Sequence, residues 1–319
     1  MDPASLIDGA IKDFSKLSDG YSQFVPTLRD PKIVSFLRAK RKNQMLVPAL
    51  GAGISFPLRI PGWNTVLDNL CSEILHGLGK RAATAAAADL GLIALARILE
   101  SEASFKSIFR TQLHHALYKN FTLRYNDRTL RALVRLFNRK DGAPVRSLIT
   151  YNFDNLIELY TEEMLPQLAV KPVYSSQTFV EATGNIEIFH PHGYMPHKDD
   201  MRPESLLVFS ERDYHKIYQD HSSWATIVQM STFARMTCLF IGLSMRDPNL
   251  RRLIDHALAD RSVQKGKGHQ HVAIMRCGDL RKPNERWRCY LIEKDLASLK
   301  IETLWIDNFD DIPGILNKI

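Results

Sequence analysis

Short apolar runs alternate along the chain with segments in which apolar residues recur every three or four positions. The runs are typical of buried strands, and the wider spacing is typical of amphipathic helices. Their alternation predicts an α/β fold with a mostly parallel sheet and helices on both faces. The predicted strands are Met45 to Leu50, Val145 to Thr150, Ile186 to Phe189, Leu206 to Phe209, Cys238 to Leu243, His271 to Met275 and Ile301 to Ile306.

Two regions of the chain show helical spacing without strands. Residues 1–44 are expected to form an N-terminal helical cap. From about residue 64 to about residue 140 the pattern is helical almost throughout and includes the alanine-rich stretch Ala82 to Ala96, which predicts a helical insertion that covers a pocket. Residues 45–319 are expected to form one domain, because the strands near residues 45 and 240 lead into the same candidate site.

The composition sets limits on the class of protein. With 45% hydrophobic and 24% charged residues, the 319-residue chain is typical of soluble globular proteins, which excludes disordered and fibrous classes. Its four cysteines form no C-x-x-C pair and no secretory leader is visible, so we expect a reducing, cytoplasmic compartment. No apolar stretch reaches the roughly 20 residues that a membrane-spanning helix needs, so no transmembrane segment is expected.

A formal net charge of +7 and a basic cluster at Arg38, Lys40, Arg41 and Lys42 raise the question of a polyanionic partner. A basic surface attracts nucleic acid, but it also suits a site that holds a pyrophosphate. No zinc-finger spacing or aromatic RNA-binding signature accompanies the cluster. Direct nucleic-acid binding is therefore not expected, and the cluster is interpreted as a solvated helix face.

Polar segments, most of which contain glycine, follow four of the predicted strands. They are Gly51 to Ser55, Thr150 to Leu156, His192 to Gly193, and Gly242 to Ser244. Ligands of open α/β sheets bind beyond the carboxyl ends of parallel strands. The four segments are therefore expected to converge on one ligand site.

Each segment has a functional and a structural interpretation. Gly51 and Gly53 permit positive φ and a close approach to a phosphate, yet Phe56 stands where a full dinucleotide fingerprint has its third glycine, and two glycines are often only a turn. Asp154 suits a helix cap as well as a ligand contact. The amide of Asn152 can both donate to and accept from a ribose or a water.

His192 lies in the segment His190-Pro191-His192-Gly193 at a strand end. Its ordinary pKa suits a general base at neutral pH. A purely structural histidine is the main alternative. A metal site shared with His190 is a weaker one, because no cysteine or carboxylate spacing completes a set of ligands.

Taken in order, these segments resemble the four signature segments of the sirtuins. The sirtuin pattern T-Q-N-I-D-G-L matches Thr150, Asn152, Asp154 and Leu156 and departs at the three positions between them. The resemblance spans roughly residues 45 to 250. It implies a Rossmann-like fold and a pocket for NAD.

The resemblance also implies roles for individual residues. Gly51, Ala52, Gly53 and Ser55 would line the dinucleotide, and Gly242 and Ser244 would hold its phosphate or ribose. Asn152 would position the nicotinamide ribose and the attacking group, Asp154 would contact the nicotinamide amide, and His192 would be the general base. Asp247 would add a further contact to the dinucleotide.

Three features are similar to the divergent sirtuin-like NAD hydrolases of bacterial anti-phage defence. They are the G-x-S-x-x-D pattern that ends at Asp247, the segment Ser210 to Tyr214, and the turn Pro61 to Trp63. Residues 193–237 contain no cysteine, so the zinc module of the protein deacetylases is missing and no zinc is expected. The expected activity is hydrolysis of the bond between nicotinamide and ribose.

Other functions remain open from the sequence. A protein deacylase or an ADP-ribosyl transferase would use the same pocket, and a non-catalytic sensor would bind NAD or ADP-ribose without cleaving it. Because uncontrolled loss of NAD would kill the host cell, we expect gating by homo-oligomerisation or by a regulatory or sensor protein. The apolar faces of the N-terminal cap and of the insertion are the candidate interfaces.

Overall fold

The computed structural model describes residues 24–74, 89–102, 106–138, 140, 142–181, 186–198, 207–259 and 270–319. Its strands are β1 Leu46–Leu50, β2 Ser147–Thr150, β3 Val170–Val173, β4 Ile186–Phe189, β5 Thr237–Ile241, β6 His271–Arg276 and β7 Ile301–Ile306. These strands form one sheet in the order β3-β4-β2-β1-β5-β6-β7. Every pairing within it is parallel. The predicted fold class is confirmed.

Helices connect the strands. They are α1 Pro31–Lys42, α2 Trp63–Ile74, α3 Leu92–Glu102, α4 Lys106–Tyr118, α5 Arg128–Arg135, α6 Leu156–Met164, α7 Ser176–Val180, α8 Glu211–Gln219, α9 Trp224–Arg235, α10 Pro248–Ala259, α11 Pro283–Ser298 and α12 Ile312–Leu316. Judged by length and apolar content, none of the helices in the described ranges could span a lipid bilayer.

Both faces of the sheet are buried. Along β1, Leu46 and Leu50 join the main apolar core, whereas Val47 and Ala49 lie in the clusters on the opposite face. Successive side chains of a strand point to opposite faces, so this division shows that helices cover the sheet on each side. Because β1 is buried on both faces, its sequence is an uninterrupted apolar run.

The structure differs from the predicted strands at two places. The strand β3 was not predicted, because its residues include Lys171 and Pro172 and are only partly buried. It is an edge strand, where proline is tolerated. The strand predicted at Leu206 to Phe209 is wrong: residues 207–209 are irregular, and the backbone N–H of Val208 donates to the carbonyl of His192 instead.

The helical regions agree with the pattern where the structure describes them. Helices α2 to α5 lie between β1 and β2, as the insertion predicts, and their inner leucines are buried in the main core. Of the alanine-rich stretch, residues 82–88 lie outside the described residues, as do residues 1–23 of the predicted cap. Arg41 corrects the solvated-face interpretation: it is buried and donates to the carbonyl of Ala143.

The register of the central strands brings three loops to one place. Leu50 at the end of β1 pairs with Thr150 of β2 on one side and with Ile241 of β5 on the other. The segments that begin at Gly51, Tyr151 and Gly242 therefore leave the sheet at the same level. The strands β2 to β4 lie on one side of β1, and the strands β5 to β7 lie on the other. The strand order therefore reverses direction at β1, and α/β sheets bind ligands at such a switch point.

The loops after β1 and β5 pack backbone against backbone. The N–H of Gly53 donates to the carbonyl of Gly242 over 3.0 Å, and a Cβ at Gly53 would lie 2.8 Å from the Cα of Gly242. Gly242 itself has a φ of 70°. Gly51 has an extended φ of −130° and Gly53 lies in a short 3-10 helix, so close approach rather than positive φ explains these two glycines.

Gly242→Ala tests this contact. Its Cβ would lie 2.9 Å from the N of Ile54 at a positive φ, so we expect a loss of about 2 to 4 kcal/mol in the free energy of unfolding. Gly91→Ala is the matched control, because Gly91 also has a positive φ of 81° but has no atom within 4 Å of the added Cβ. Equal losses in urea unfolding of the two variants would show that packing at Gly242 is unimportant.

Candidate active site

A cavity of about 520 Å³ opens at the carboxyl edge of β1, β2 and β5. Most of the site residues predicted from the sequence line it: Gly51, Ala52, Ser55, Asn152, Asp154, His192, Ser244 and Asp247. Gly53 and Gly242 do not, because they form the backbone contact behind the loops. All four predicted segments thus contribute residues to the cavity wall.

The insertion supplies an apolar wall of the cavity. Trp63 and Val66 of α2, Leu92 and Ile93 of α3, and Leu117 of α4 line it opposite the polar loops. A ligand there would lie between the strand ends and the insertion helices. Helical spacing predicted that these helices cover a pocket, but it did not identify which side chains reach the ligand.

Asn152 is held in the cavity wall by its side-chain amide. Its Nδ2 donates to the carbonyl of Gly51 and to Oγ of Ser55, each over 3.1 Å. Among the described residues, its amide oxygen has no hydrogen-bond partner. Asn152 is buried, with 7% of its surface exposed, so both contacts are made away from bulk water. They join the loop after β1 to the loop after β2.

Asp154 lines the cavity and also contacts the start of a helix. Its Oδ2 accepts from Oγ of Ser55 over 2.8 Å, and its Oδ1 accepts from the N–H of Leu156 over 3.2 Å at the start of α6. Burial raises the pKa of this carboxyl to about 6, although the hydrogen bond from Ser55 opposes the shift. Asp154 therefore orients Ser55, and through it Asn152, while it helps to begin the helix.

His192 is buried beside two tyrosine rings. The edge-to-face contact with Tyr151 has a centroid distance of 4.9 Å, and the contact with Tyr214 has one of 6.0 Å. Its Nε2 has no hydrogen-bond partner within the described part of the chain. The carboxylate of Asp247 is 3.8 Å from that atom, which is too far for a hydrogen bond.

The surroundings of His192 favour its neutral form. Burial lowers the pKa of the imidazole, and the carboxylate of Asp247 partly opposes that shift. A neutral imidazole can accept a proton, so His192 has both the state and the free ring nitrogen that a general base needs. A histidine with only a structural role would be expected to have that nitrogen paired.

Asp247 is fixed by two hydrogen bonds. Its Oδ1 accepts from the N–H of Leu250 over 2.8 Å, in the first turn of α10, and its Oδ2 accepts from the hydroxyl of Tyr214 over 2.7 Å. No role was predicted for Tyr214 or Tyr151, although both line the cavity. The segment Ser210 to Tyr214 was the available signal for the first of them.

The metal alternative for His190 and His192 finds no support in the geometry. Both ring nitrogens of His190 have hydrogen-bond partners, namely the carbonyl of Asn152 and the carboxylate of Glu158. Within the described ranges, no group of three or more histidine, cysteine or acidic side chains is arranged to hold a metal ion.

Comparison with known proteins gives a family match and three relatives. A family model described as a SIR2-like domain matches residues 146–297. The chain is 25% identical over 303 residues to the NAD(+) hydrolase ThsA of Enterococcus faecium, covering 90% of this chain and 57% of the relative. Against the NAD(+) hydrolase ThsA of Bacillus cereus (strain MSX-D12) it is 22% identical over 278 residues, covering 84% and 52%.

A third relative, the NAD(+) hydrolase ThsA of Cytobacillus dafuensis, is 23% identical over 310 residues, covering 92% of this chain and 56% of the relative. The chain thus spans about half the length of the curated relatives it matches. These similarities confirm the resemblance that the four segments indicated. Residues 146–297 are thus similar to a SIR2-like domain, and most of the chain is similar to part of three NAD(+) hydrolases.

Proposed function

We propose that this cavity binds NAD and hydrolyses the bond between nicotinamide and ribose, which gives nicotinamide and ADP-ribose. The observation that carries the proposal is that His192, with a lowered pKa and an unpaired Nε2, lines the same cavity as the anchored amide of Asn152. Similarity to three proteins named as NAD(+) hydrolases supports the choice of substrate and reaction.

The chemistry needs one water and one base. The electron pair of the C1′–N bond leaves with nicotinamide, and the ribose becomes an oxocarbenium-like centre that the water oxygen attacks. His192 accepts the proton that this water loses, and Asn152 places the water and the ribose. The apolar wall from the insertion limits the access of other nucleophiles to the ribose. Exclusion of water by this wall also strengthens the polar contacts inside the cavity.

The remaining predicted residues have supporting roles in this proposal. Ala52 and Ser244 border the dinucleotide at the ends of β1 and β5, while Gly53 and Gly242 allow those two loops to meet. Asp154 contacts the nicotinamide amide and orients Ser55. Asp247 contacts the dinucleotide from the start of α10.

We also propose that the activity serves a regulated effector that depletes NAD in anti-phage defence within the cytoplasm. This rests on the similarity to the defence branch of the sirtuin-like proteins and on the cost of free NAD hydrolysis to a cell. Gating by self-association or by a regulatory or sensor protein follows from the same cost. Sedimentation of the active and inactive forms tests it, and one constant monomer with full activity would contradict it.

Substitution of the two central residues tests the reaction. Asn152→Ala and His192→Ala should each reduce nicotinamide release from NAD by about a hundredfold to ten-thousandfold, since each removes a group that acts in the bond-breaking step. Chromatography of nicotinamide measures the loss. His256→Ala, at an exposed position of α10, is the control and should keep the wild-type rate.

Full activity in both variants would refute the assignment. The same samples separate the other functions. Binding of NAD by calorimetry without any release of nicotinamide by the wild-type protein would favour a sensor. Nicotinamide release that requires an acyl-lysine peptide would favour a deacylase, and transfer of ADP-ribose to protein would favour a transferase.

The pH dependence of kcat/KM tests the state of His192. Because burial lowers its pKa below the ordinary value of 6.5, the rate should hold as the pH falls through 6.5 and decline only at lower pH. Asp247→Asn removes the carboxylate that opposes this shift, so its acid limb should lie at lower pH than that of the wild type.

Asp154, whose pKa is about 6, could produce an acid limb of its own. Asp154→Asn separates the two groups, because a limb due to His192 persists in that variant at whatever rate remains. An acid limb centred above pH 6.5, or one that disappears in Asp154→Asn, would be incompatible with His192 as the base.

A further inference from the structure

A buried pair of ionisable side chains lies next to the cavity without lining it. His190, which has no exposed surface, places its Nε2 2.8 Å from Oε1 of Glu158, which is 4% exposed. Neither residue belongs to the cavity wall, and the proposed reaction assigns a role to neither. Burial of two such groups is costly unless hydrogen bonds compensate for it, so the pair calls for an explanation.

The second ring nitrogen of His190 contacts the backbone of Asn152. Its Nδ1 lies 3.2 Å from the carbonyl oxygen of Asn152. A carbonyl oxygen only accepts hydrogen bonds, so Nδ1 carries a proton and donates. The contact between Nε2 and Glu158 then shares one further proton, held either by an imidazolium or by a carboxyl group. Both arrangements leave the imidazole bonded at its two nitrogens.

The pair is built on regular elements, whereas Asn152 is not. The backbone N–H of His190 donates over 2.8 Å to the carbonyl of Val173 on β3, and Glu158 lies in the first turn of α6. The rings of His190 and Tyr194 make an edge-to-face contact at a centroid distance of 4.7 Å. The imidazole therefore connects a helix and a strand end to the irregular segment that contains Asn152.

The carbonyl of Asn152 needs such an anchor. The side-chain amide of this residue must keep its two bonds, to Gly51 and to Ser55, while its backbone bridges β2 and α6. Rotation about the bond between Cα and the carbonyl carbon of Asn152 would change the direction of its Cα–Cβ bond relative to that carbonyl, and the side-chain amide extends from this bond. A hydrogen bond to the carbonyl oxygen from a fixed imidazole opposes that rotation.

We infer that Glu158 and His190 are positioning residues that hold the amide of Asn152 in its reactive place through the hydrogen bond from His190 Nδ1 to the Asn152 carbonyl. This inference rests on the proposed function for its catalytic meaning, but the geometric claim stands without it. Loss of the anchor should affect the reaction step more than substrate binding, because Asn152 acts on the water and the ribose during bond cleavage.

Substitutions at Glu158 test the inference. Glu158→Gln keeps the hydrogen bond between this side chain and His190, because the glutamine NH2 donates to Nε2 of His190 while Nδ1 stays protonated. Glu158→Leu removes it and leaves Nε2 unpaired. Glu162→Leu, at an exposed site one turn later on α6, is the matched control for loss of charge and gain of an apolar side chain.

Two measurements apply to each variant. The first follows the side-chain NH2 resonances of Asn152 by NMR, identified by their absence in Asn152→Asp. We expect them unchanged in Glu158→Gln and Glu162→Leu, and shifted with faster hydrogen exchange in Glu158→Leu. The second is the kinetics of NAD cleavage, in which kcat should fall about tenfold to a hundredfold in Glu158→Leu with KM changed less than about twofold.

Unchanged resonances of Asn152 in Glu158→Leu would overturn the inference, as would a Gln variant that behaves like the Leu variant. If Glu158→Leu does not fold, Glu158→Asp replaces it: the carboxylate is withdrawn by one methylene group, and the same resonances should shift by a smaller amount. A wild-type protein that never cleaves NAD would refute the proposed function. The NMR comparison would still test whether Glu158 and His190 hold the amide of Asn152 in place.

Discussion

The close approach of the loops after β1 and β5 is the constraint on which the site depends. Gly53 and Gly242 touch through their backbones, so a side chain at either position would separate the loops. The strands β1, β2 and β5 end at one level, because Leu50 pairs with both Thr150 and Ile241. This register places the carbonyl of Gly51 within reach of the amide of Asn152, and the cavity forms in front of that contact.

Around that contact, hydrogen bonds link most of the buried polar side chains of the site to one another. Ser55 connects Asn152 to Asp154, and His190 connects the backbone of Asn152 to Glu158. Paired groups of this kind cost little to bury and restrict one another's orientation. Among the described residues, Nε2 of His192 is an unpaired ring nitrogen, whereas both ring nitrogens of His190 have partners, and this is the physical reason to assign the proton transfer to His192.

Much of this could be predicted from the sequence, and the rest has identifiable causes. The runs that became β1 and β5 are buried along their whole length, so burial determined the pattern there. The edge strand β3 carries lysine and proline and leaves no such pattern. Site residues at strand ends could be located because topology brings strand ends together. Glu158 and Tyr214 lie inside helices, where the sequence pattern alone does not separate a polar residue that faces the interior from a solvated one.

The central claim is that Asn152 and His192 act on the same ribose. A crystal structure of the Asn152→Ala variant with NAD measures this most directly, since the slow variant should retain uncleaved substrate. The account predicts the nicotinamide ribose in the cavity between β1, β2 and β5, with a ribose hydroxyl or a water beside C1′ within about 3.2 Å of Nε2 of His192. NAD bound elsewhere, or a ribose remote from His192, would contradict it.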